Sequence, residues 1–292
     1  MFQKILHTLE MVKFSHSIFA LPFALSSMVV AARGLPSPKI LFLIVMAMVT
    51  ARNTAMSMNR WIDRDIDGKN PRTQNRHLPQ KLLTPRYVLI FALSNALLFV
   101  TLCLFINRLA FFLSLPTLLV LVAYSWIKRF SSLTQIYLGL CLGMAPLGAW
   151  IAVTGNLAWP PVFLGMAVLF WVAGFDILYA IQDHEFDKGH NLYSLVVSLG
   201  IPKALLLSRL FHLMTLGLLL GFGSAAGLDL VYNIGCLFVA VLLTWEHSLI
   251  RPSDLSRINI AFFNFNGVIG LVFLAGVCVD VLMKPIVAFV LQ

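Results

Sequence analysis

The chain has 292 residues, of which 60% are hydrophobic and only 11% charged, and its mean hydropathy is +0.89. A soluble domain carries roughly 25% charged residues, so a water-soluble core is excluded and the chain falls in the membrane class. The net charge of +9 does not point to nucleic acid, because the basic residues are confined to short segments between apolar runs and serve as topogenic charge beside anionic headgroups.

A crossing needs about 20 apolar residues. On that ruler the sequence predicts an all-α polytopic chain, a single domain over 1–292, with spans near 15–32, 39–58, 87–106, 109–127, 134–153, 161–182, 204–222, 230–249 and 260–281. Lys4 and Lys13 precede the first span, whose approach has no cleavable-signal pattern. The second runs into a segment rich in Arg and Lys, from Arg60 to Arg86. A tight turn at Asn107-Arg108 joins the third and fourth, and Lys128-Arg129 follows the fourth. Gly155-Asn156 and Trp159-Pro160-Pro161 break the fifth from the sixth. Lys188 and Lys203 follow the sixth, Ala226-Gly227-Leu228-Asp229 separates the seventh and eighth, and Arg251 and Arg257 follow the eighth. Only Arg33, Lys39, Arg108 and Lys284 lie on the other side. The positive-inside rule thus predicts a multi-pass inner-membrane protein with a cytoplasmic N-terminus and the C-terminus opposite. Cys103, Cys141, Cys236 and Cys278 lie inside apolar runs without a disulfide or Cys/His zinc pattern.

Acids are scarce: twelve in all, seven of them in two clusters. The first holds Asp63, Asp65 and Asp67 after span two; the second holds Asp176, Asp183, Glu185 and Asp187 at the end of span six. Both ends are cytoplasmic in the predicted topology, so the two clusters are expected to face one cavity open to that side. At 100° per residue Asn59, Asp63 and Asp67 form one ridge, with Asp65 turned away toward Arg64 or Arg60. Asp176, Tyr179, Asp183 and Asp187 form a second. Carboxylates at a bilayer face are costly without a charge partner. A hard divalent cation such as Mg²⁺ holding a phosphorylated substrate suits oxygen-only ligands flanked by Arg and Lys. Each cluster ends an apolar span with an Asp-x-x-x-Asp step and a basic loop, a weak internal repeat.

Two stretches carry a resemblance. Asn59-x-x-x-Asp63-x-x-x-Asp67 followed by Asn70-Pro-Arg72-Thr-Gln-Asn75-Arg76-His-Leu-Pro79 resembles the first signature of the UbiA family of intramembrane aromatic prenyltransferases. Tyr179-x-x-Gln182-Asp183-x-x-x-Asp187-x-x-x-x-Leu192-x-Ser194 resembles the second. Lys13 to Pro22 with His16, Tyr124-x-x-x-Lys128-Arg129, and Asp254-Leu-Ser-Arg257-x-Asn259 fit as well. One departure stands out: the family usually has Asp directly after the first Asn, and this chain has Arg60.

The resemblance implies nine helices around a central cavity, and Mg²⁺-dependent transfer of a polyprenyl group from its diphosphate to an aromatic acid. Carried onto matching positions, Asp63, Asp67, Asp183 and Asp187 hold the metal, with Asn59 and Asp176 assisting. Arg72, Arg76 and Lys128 are candidates for the diphosphate oxygens, and Tyr179 and Gln182 share the second ridge. Tyr124, four residues before Lys128, is a candidate to shield the allylic cation with its ring. Arg60, Arg52 or Arg257 are candidates for the acceptor carboxylate. His16, His77, His184 and His190 lie on the same side without a distinguishing pattern. The expected acceptor is 4-hydroxybenzoate, prenylated ortho to its hydroxyl in respiratory quinone synthesis; the alternative is a dihydroxynaphthoate in menaquinone synthesis. A CDP-alcohol phosphatidyltransferase fails at Asp67-Gly68, which continues as Lys-Asn-Pro-Arg. A cation transporter predicts charges at mid-membrane rather than at one face.

Overall fold

The computed structural model describes residues 2–13, 19–250, 255, 257–258 and 264–290. Among them all regular structure is helical: α1 (Phe2–Met11), α2 (Leu21–Ala32), α3 (Pro38–Asp67), α4 (Pro85–Ile106), α5 (Arg108–Ile127), α6 (Thr134–Thr154), α7 (Trp159–Ala180), α8 (His184–Gly189), α9 (Leu195–Leu199), α10 (Ile201–Ala226), α11 (Leu230–Ser248) and α12 (Asn266–Val290). Eight of the described helices are long and apolar enough to cross a membrane. The expected first span survives as α2, only 12 residues or about 18 Å long; residues 15–18 of that span, and 260–263 of the ninth, lie outside the described residues. Pro22 opens α2, and Arg33 ends it in the left-handed conformation, with the Gly34 amide bonding back to the Val29 carbonyl.

Local chemistry sets the other boundaries. The Ser37 hydroxyl caps α3 at the Ile40 amide, and Thr84 and Asn107 cap α4 and α5 in the same way. At 30 residues α3 is about 45 Å long, against a hydrocarbon core of about 30 Å. The excess is the polar stretch from Asn59 to Asp67, which therefore stays helical beyond the expected span end at 58.

The second ridge departs from expectation. After Ala180 the chain tightens into a 3₁₀ turn at Ile181–Asp183 before α8 begins. Three residues at 3.0 per turn rotate everything downstream by roughly 60° relative to a continuous α-helix. Asp183 and Asp187 are therefore not in the even phase with Asp176 that 100° spacing predicts.

α3, α4 and α5 pack together; α6 joins them to α7, and α10, α11 and α12 follow in sequence, with α2 set against α6, α7 and α12. The α6–α7 approach runs through Gly139, Gly143 and Gly165, where an added Cβ meets the facing helix directly. Trp171 of α7 anchors the core, its ring 4.8 Å from Phe23, which stacks 5.0 Å from Phe273.

On the far side from the acidic clusters, the buried Asp280 carboxylate of α12 accepts the backbone amides of Asp229 (3.1 Å) and Tyr232 (3.1 Å), capping α11. Asp280→Ala strands those donors and is expected to cost about 1–2 kcal/mol, read as a lower melting temperature in detergent. An unchanged melting temperature rejects the capping role.

Candidate functional site

The polar end of α3 is buried rather than solvated: Asp63 is 1% exposed and Asp67 4%. Asp63 accepts from Asn59 Nδ2 at 2.9 Å, one turn earlier on the same ridge. Lys128 Nζ, just past the end of α5, reaches the same oxygen, Oδ2, at 2.7 Å, and Arg129 Nη2 lies 3.4 Å from the other, Oδ1, while also bonding the Ile62 carbonyl. Asn59 also contacts the Ser125 hydroxyl at 3.3 Å. Arg60 donates to the Asn59 side-chain oxygen at 3.0 Å. Asp65 is exposed, with Arg64 Nε at 3.7 Å.

After Gly68 the chain turns back over the helix end. Thr73 bonds the Asp67 carbonyl at 3.1 Å, and the Asn70 side-chain oxygen accepts the Arg72 amide at 2.9 Å. This fold-back aims two guanidiniums inward. Arg76 Nη1 meets Asp67 Oδ1 at 2.6 Å. Arg72 crosses to the second cluster, where it grips both oxygens of Asp183, with Nε 2.8 Å from Oδ1 and Nη2 closer still to Oδ2. Its third nitrogen bonds the Tyr179 hydroxyl at 2.9 Å, and Asn70 Nδ2 adds a bond to Asp183 at 3.0 Å. Partial burial disfavours the Arg72 charge, but the hydrogen bond and attraction of Asp183 outweigh it and hold its pKa above the ordinary value.

Arg72 and Asn70, in the turn after the first ridge, therefore tie the two acidic segments together. Tyr124 of α5 lies within electrostatic reach of Asp176, Asp63 and Arg60, so α3, α5 and α7 all bring side chains to this region. Asp187 is half-buried and within reach of Asp183, Lys128 and Arg72, but it makes no ion pair among the described residues. Asp176 is likewise half-buried on α7 without an ion pair, while Gln182 and Glu185 are exposed. Arg52 faces elsewhere, donating to the Lys13 carbonyl at 2.9 Å at the end of α1. Arg257 is exposed. His184 and His190 make local contacts with Glu185 and Phe186, and His77 bonds Glu10. His16, Asp254 and Asn259 lie outside the described residues.

Sequence reasoning named the carboxylates and four of the cations, Arg60, Arg72, Arg76 and Lys128, but passed over Asn70 and Arg129 as site members. Both lie inside the quoted signatures, and the signal for Asn70 was its place two residues before Arg72, where an Asx turn is favoured. A second group was also missed: Glu246, fully buried on α11, accepts from Asn266 Nδ2 at 3.0 Å, and His247 bonds His212 at 2.9 Å.

The donor set fits a hard divalent cation. Asp67 Oδ2 is buried without a hydrogen bond, Asp187 makes no ion pair among the described residues, and the candidate ligands are all carboxylates. Their oxygens are not drawn into one cluster: Asp63, Asp67 and Asp183 are each paired with a cation, Lys128, Arg76 and Arg72.

The UbiA prenyltransferase family matches residues 20–268. The chain is 34% identical over 263 residues to a 4-hydroxybenzoate octaprenyltransferase from Nitrosomonas europaea, covering 87% of this chain and 86% of that one. It is 30% identical over 257 residues to the enzyme of that name from Vibrio parahaemolyticus, covering 87% and 88%. Among solved structures, a UbiA homologue from Aeropyrum pernix in its apo form superposes with a TM-score of 0.83 at 28% identity, over 91% of this chain and 98% of that one. A UbiA homologue from Archaeoglobus fulgidus bound to DMAPP and Mg²⁺ shares the fold, with a TM-score of 0.72 at 18% identity over 94% and 98%.

Proposed function

Because the chain belongs to the UbiA prenyltransferase family, and is thus a multi-span membrane prenyltransferase, we propose that it transfers a polyprenyl group from polyprenyl diphosphate to 4-hydroxybenzoate, ortho to the hydroxyl, with Mg²⁺ as cofactor. The observation that carries this reading is the Arg72 bridge from the first acidic segment to Asp183 and Tyr179 of the second. It supports a single cavity in which carboxylates and guanidiniums alternate, as a metal–diphosphate pair requires. The names of the curated relatives support the aromatic acceptor.

In this reading Asp63, Asp67, Asp183 and Asp187 hold Mg²⁺, which supplies charge neutralisation for the departing diphosphate. Arg72, Arg76 and Lys128 each exchange an aspartate for a diphosphate oxygen when the donor enters. Asn59 orients Asp63 through their 2.9 Å bond, and Tyr179 does the same for Arg72. The allylic C–O bond breaks with its electron pair leaving on the diphosphate, a C–C bond forms at the ring carbon ortho to the phenol, and the ring proton passes to the released diphosphate. Tyr124, within electrostatic reach of Asp176 and Asp63, presents its ring to the allylic cation in this reading and keeps water from it. Asp176 and Gln182 complete the second wall. Arg60, bonded to Asn59 and within electrostatic reach of Tyr124, takes the acceptor carboxylate in this reading. The whole of 1–292 acts as one domain in the inner membrane. The concentration of Lys and Arg on the side of the site supports a cytoplasmic N-terminus and cavity and a C-terminus on the other side.

Arg60, where the family usually has Asp, and the Asn70-Pro71-Arg72-Thr73 loop favour a different acid, a dihydroxynaphthoate. Membranes containing the protein, given labelled polyprenyl diphosphate and either acid, separate the two. Labelled prenyl-hydroxybenzoate is the expected product. Product only from the dihydroxynaphthoate overturns the acceptor assignment, and product from neither acid overturns both.

A further inference from the structure

Away from the cavity, α1 lies over the segment between α3 and α4. Met11 and Val12 pack with Leu78, Leu83 and Val88, and the Thr8 hydroxyl meets the Tyr87 hydroxyl at 3.0 Å. At this contact three side chains converge. His7 and Glu10 stand one turn apart on the same face of α1, with Nδ1 and Oε2 3.7 Å apart. His77 enters from the opposite segment, its Nε2 3.2 Å from the same carboxylate oxygen. The three ligand atoms all lie within 4.8 Å of one another. The two imidazoles are tilted at 59° with centroids 5.5 Å apart, so their edges converge instead of stacking. His7 Nδ1 is buried and makes no hydrogen bond.

We propose that His7, Glu10 and His77 form a second metal site, for a borderline transition-metal ion of the Zn²⁺ class, that clamps α1 onto the segment carrying Arg72 and Arg76. Two imidazoles and one carboxylate form a donor set that zinc accepts, with water in the fourth position. Donors around a tetrahedral zinc stand roughly 3.3 Å apart. Two of the pairs are near that separation, and small side-chain rotations bring in the third. Imidazole also discriminates against Mg²⁺, which prefers oxygen. The site is therefore chemically distinct from the aspartate cavity, and the proposal stands whether or not the prenyl-transfer reading does. Its ligands are split by 67 residues and include a carboxylate, so no Cys/His spacing pattern reveals it. His77 directly follows Arg76, the partner of Asp67, so closing the clamp braces the cavity rim from outside.

The test is a zinc titration of the purified full chain in detergent, stripped with chelator, against a chromophoric zinc indicator in excess MgCl₂, which masks the oxygen site. Wild type is expected to bind one more equivalent of Zn²⁺ than the His7→Ala/His77→Ala double variant. Glu10→Gln, a change at a largely exposed side chain that leaves the fold intact, is expected to weaken that equivalent at least about tenfold. Zn²⁺ raises the melting temperature of wild type and not that of the double variant, while the two melt alike without zinc. Equal zinc equivalents and equal thermal shifts in wild type and both variants overturn the site.

Discussion

Asp63→Asn is expected to lower Mg²⁺-dependent prenyl transfer by more than about a hundredfold while the protein still inserts and purifies normally. The substitution keeps shape and volume but removes the charge at the most enclosed acid of the cavity, 1% exposed. Lys128 at 2.7 Å and Arg129 at 3.4 Å then face a neutral amide, and the local field turns against any cation. Losing an outer-shell partner of a metal typically costs 10–100-fold (about one to two orders) in affinity or activity; removing a ligand charge costs more. The measurement is single-turnover transfer of labelled prenyl diphosphate across a range of Mg²⁺ concentrations. Asp183→Asn is the companion, since it frees Arg72 from the bridge between the two segments. Near-normal turnover in either variant would sink the two-ridge site.

The largest effect on stability is expected at the α6–α7 seam. At Gly139 an added Cβ runs into the Leu169 backbone, and at Gly143 into the Gly165 carbonyl, so neither clash is relieved by turning a side chain. Helices in lipid gain little from apolar contact as such, so close backbone approach carries much of their association. Gly139→Val forces α6 away from α7 along the helix that ends in the second acidic cluster. A cost of about 3 kcal/mol corresponds to a fall in melting temperature of roughly 6–10 °C for a chain of this class. The control is Gly148→Ala on the same helix, where an added Cβ meets nothing within 4 Å. Equal melting of Gly139→Val and wild type refutes the close-packing account.

Both expectations rest on features that differ in how legible they were. Membrane class, helix order and the Asp63–Asp67 ridge follow from local pattern: apolar length for the spans, four-residue spacing for the ridge. Helix ends were legible where capping chemistry was present, as at Asn107 and Gly155. The phase of the second ridge was not, because a 3₁₀ turn at Ile181–Asp183 is a matter of how the helix end settles against its neighbours, and no residue type announces it. The Arg72–Asp183 bridge joins positions 111 residues apart, so it becomes visible only when the turn after α3 meets the 3₁₀ turn that follows α7. Arg52 illustrates the converse case. It is a candidate for the acceptor carboxylate by sequence, whereas its guanidinium bonds the Lys13 carbonyl just past the end of α1.

The length of α3 carries a consequence for how substrate arrives. A helix that overshoots the hydrocarbon by about 15 Å sets its carboxylates at the depth of lipid headgroups. A polyprenyl diphosphate dissolved in the same leaflet already holds its own charges at that level, with its tail among the acyl chains. Under the proposed function, donor capture is then a lateral encounter in two dimensions, with no step in which the isoprenoid must be lifted into water. The overhang of one helix thus acts as a depth gauge, matching the amphiphile's polar boundary to the protein's own.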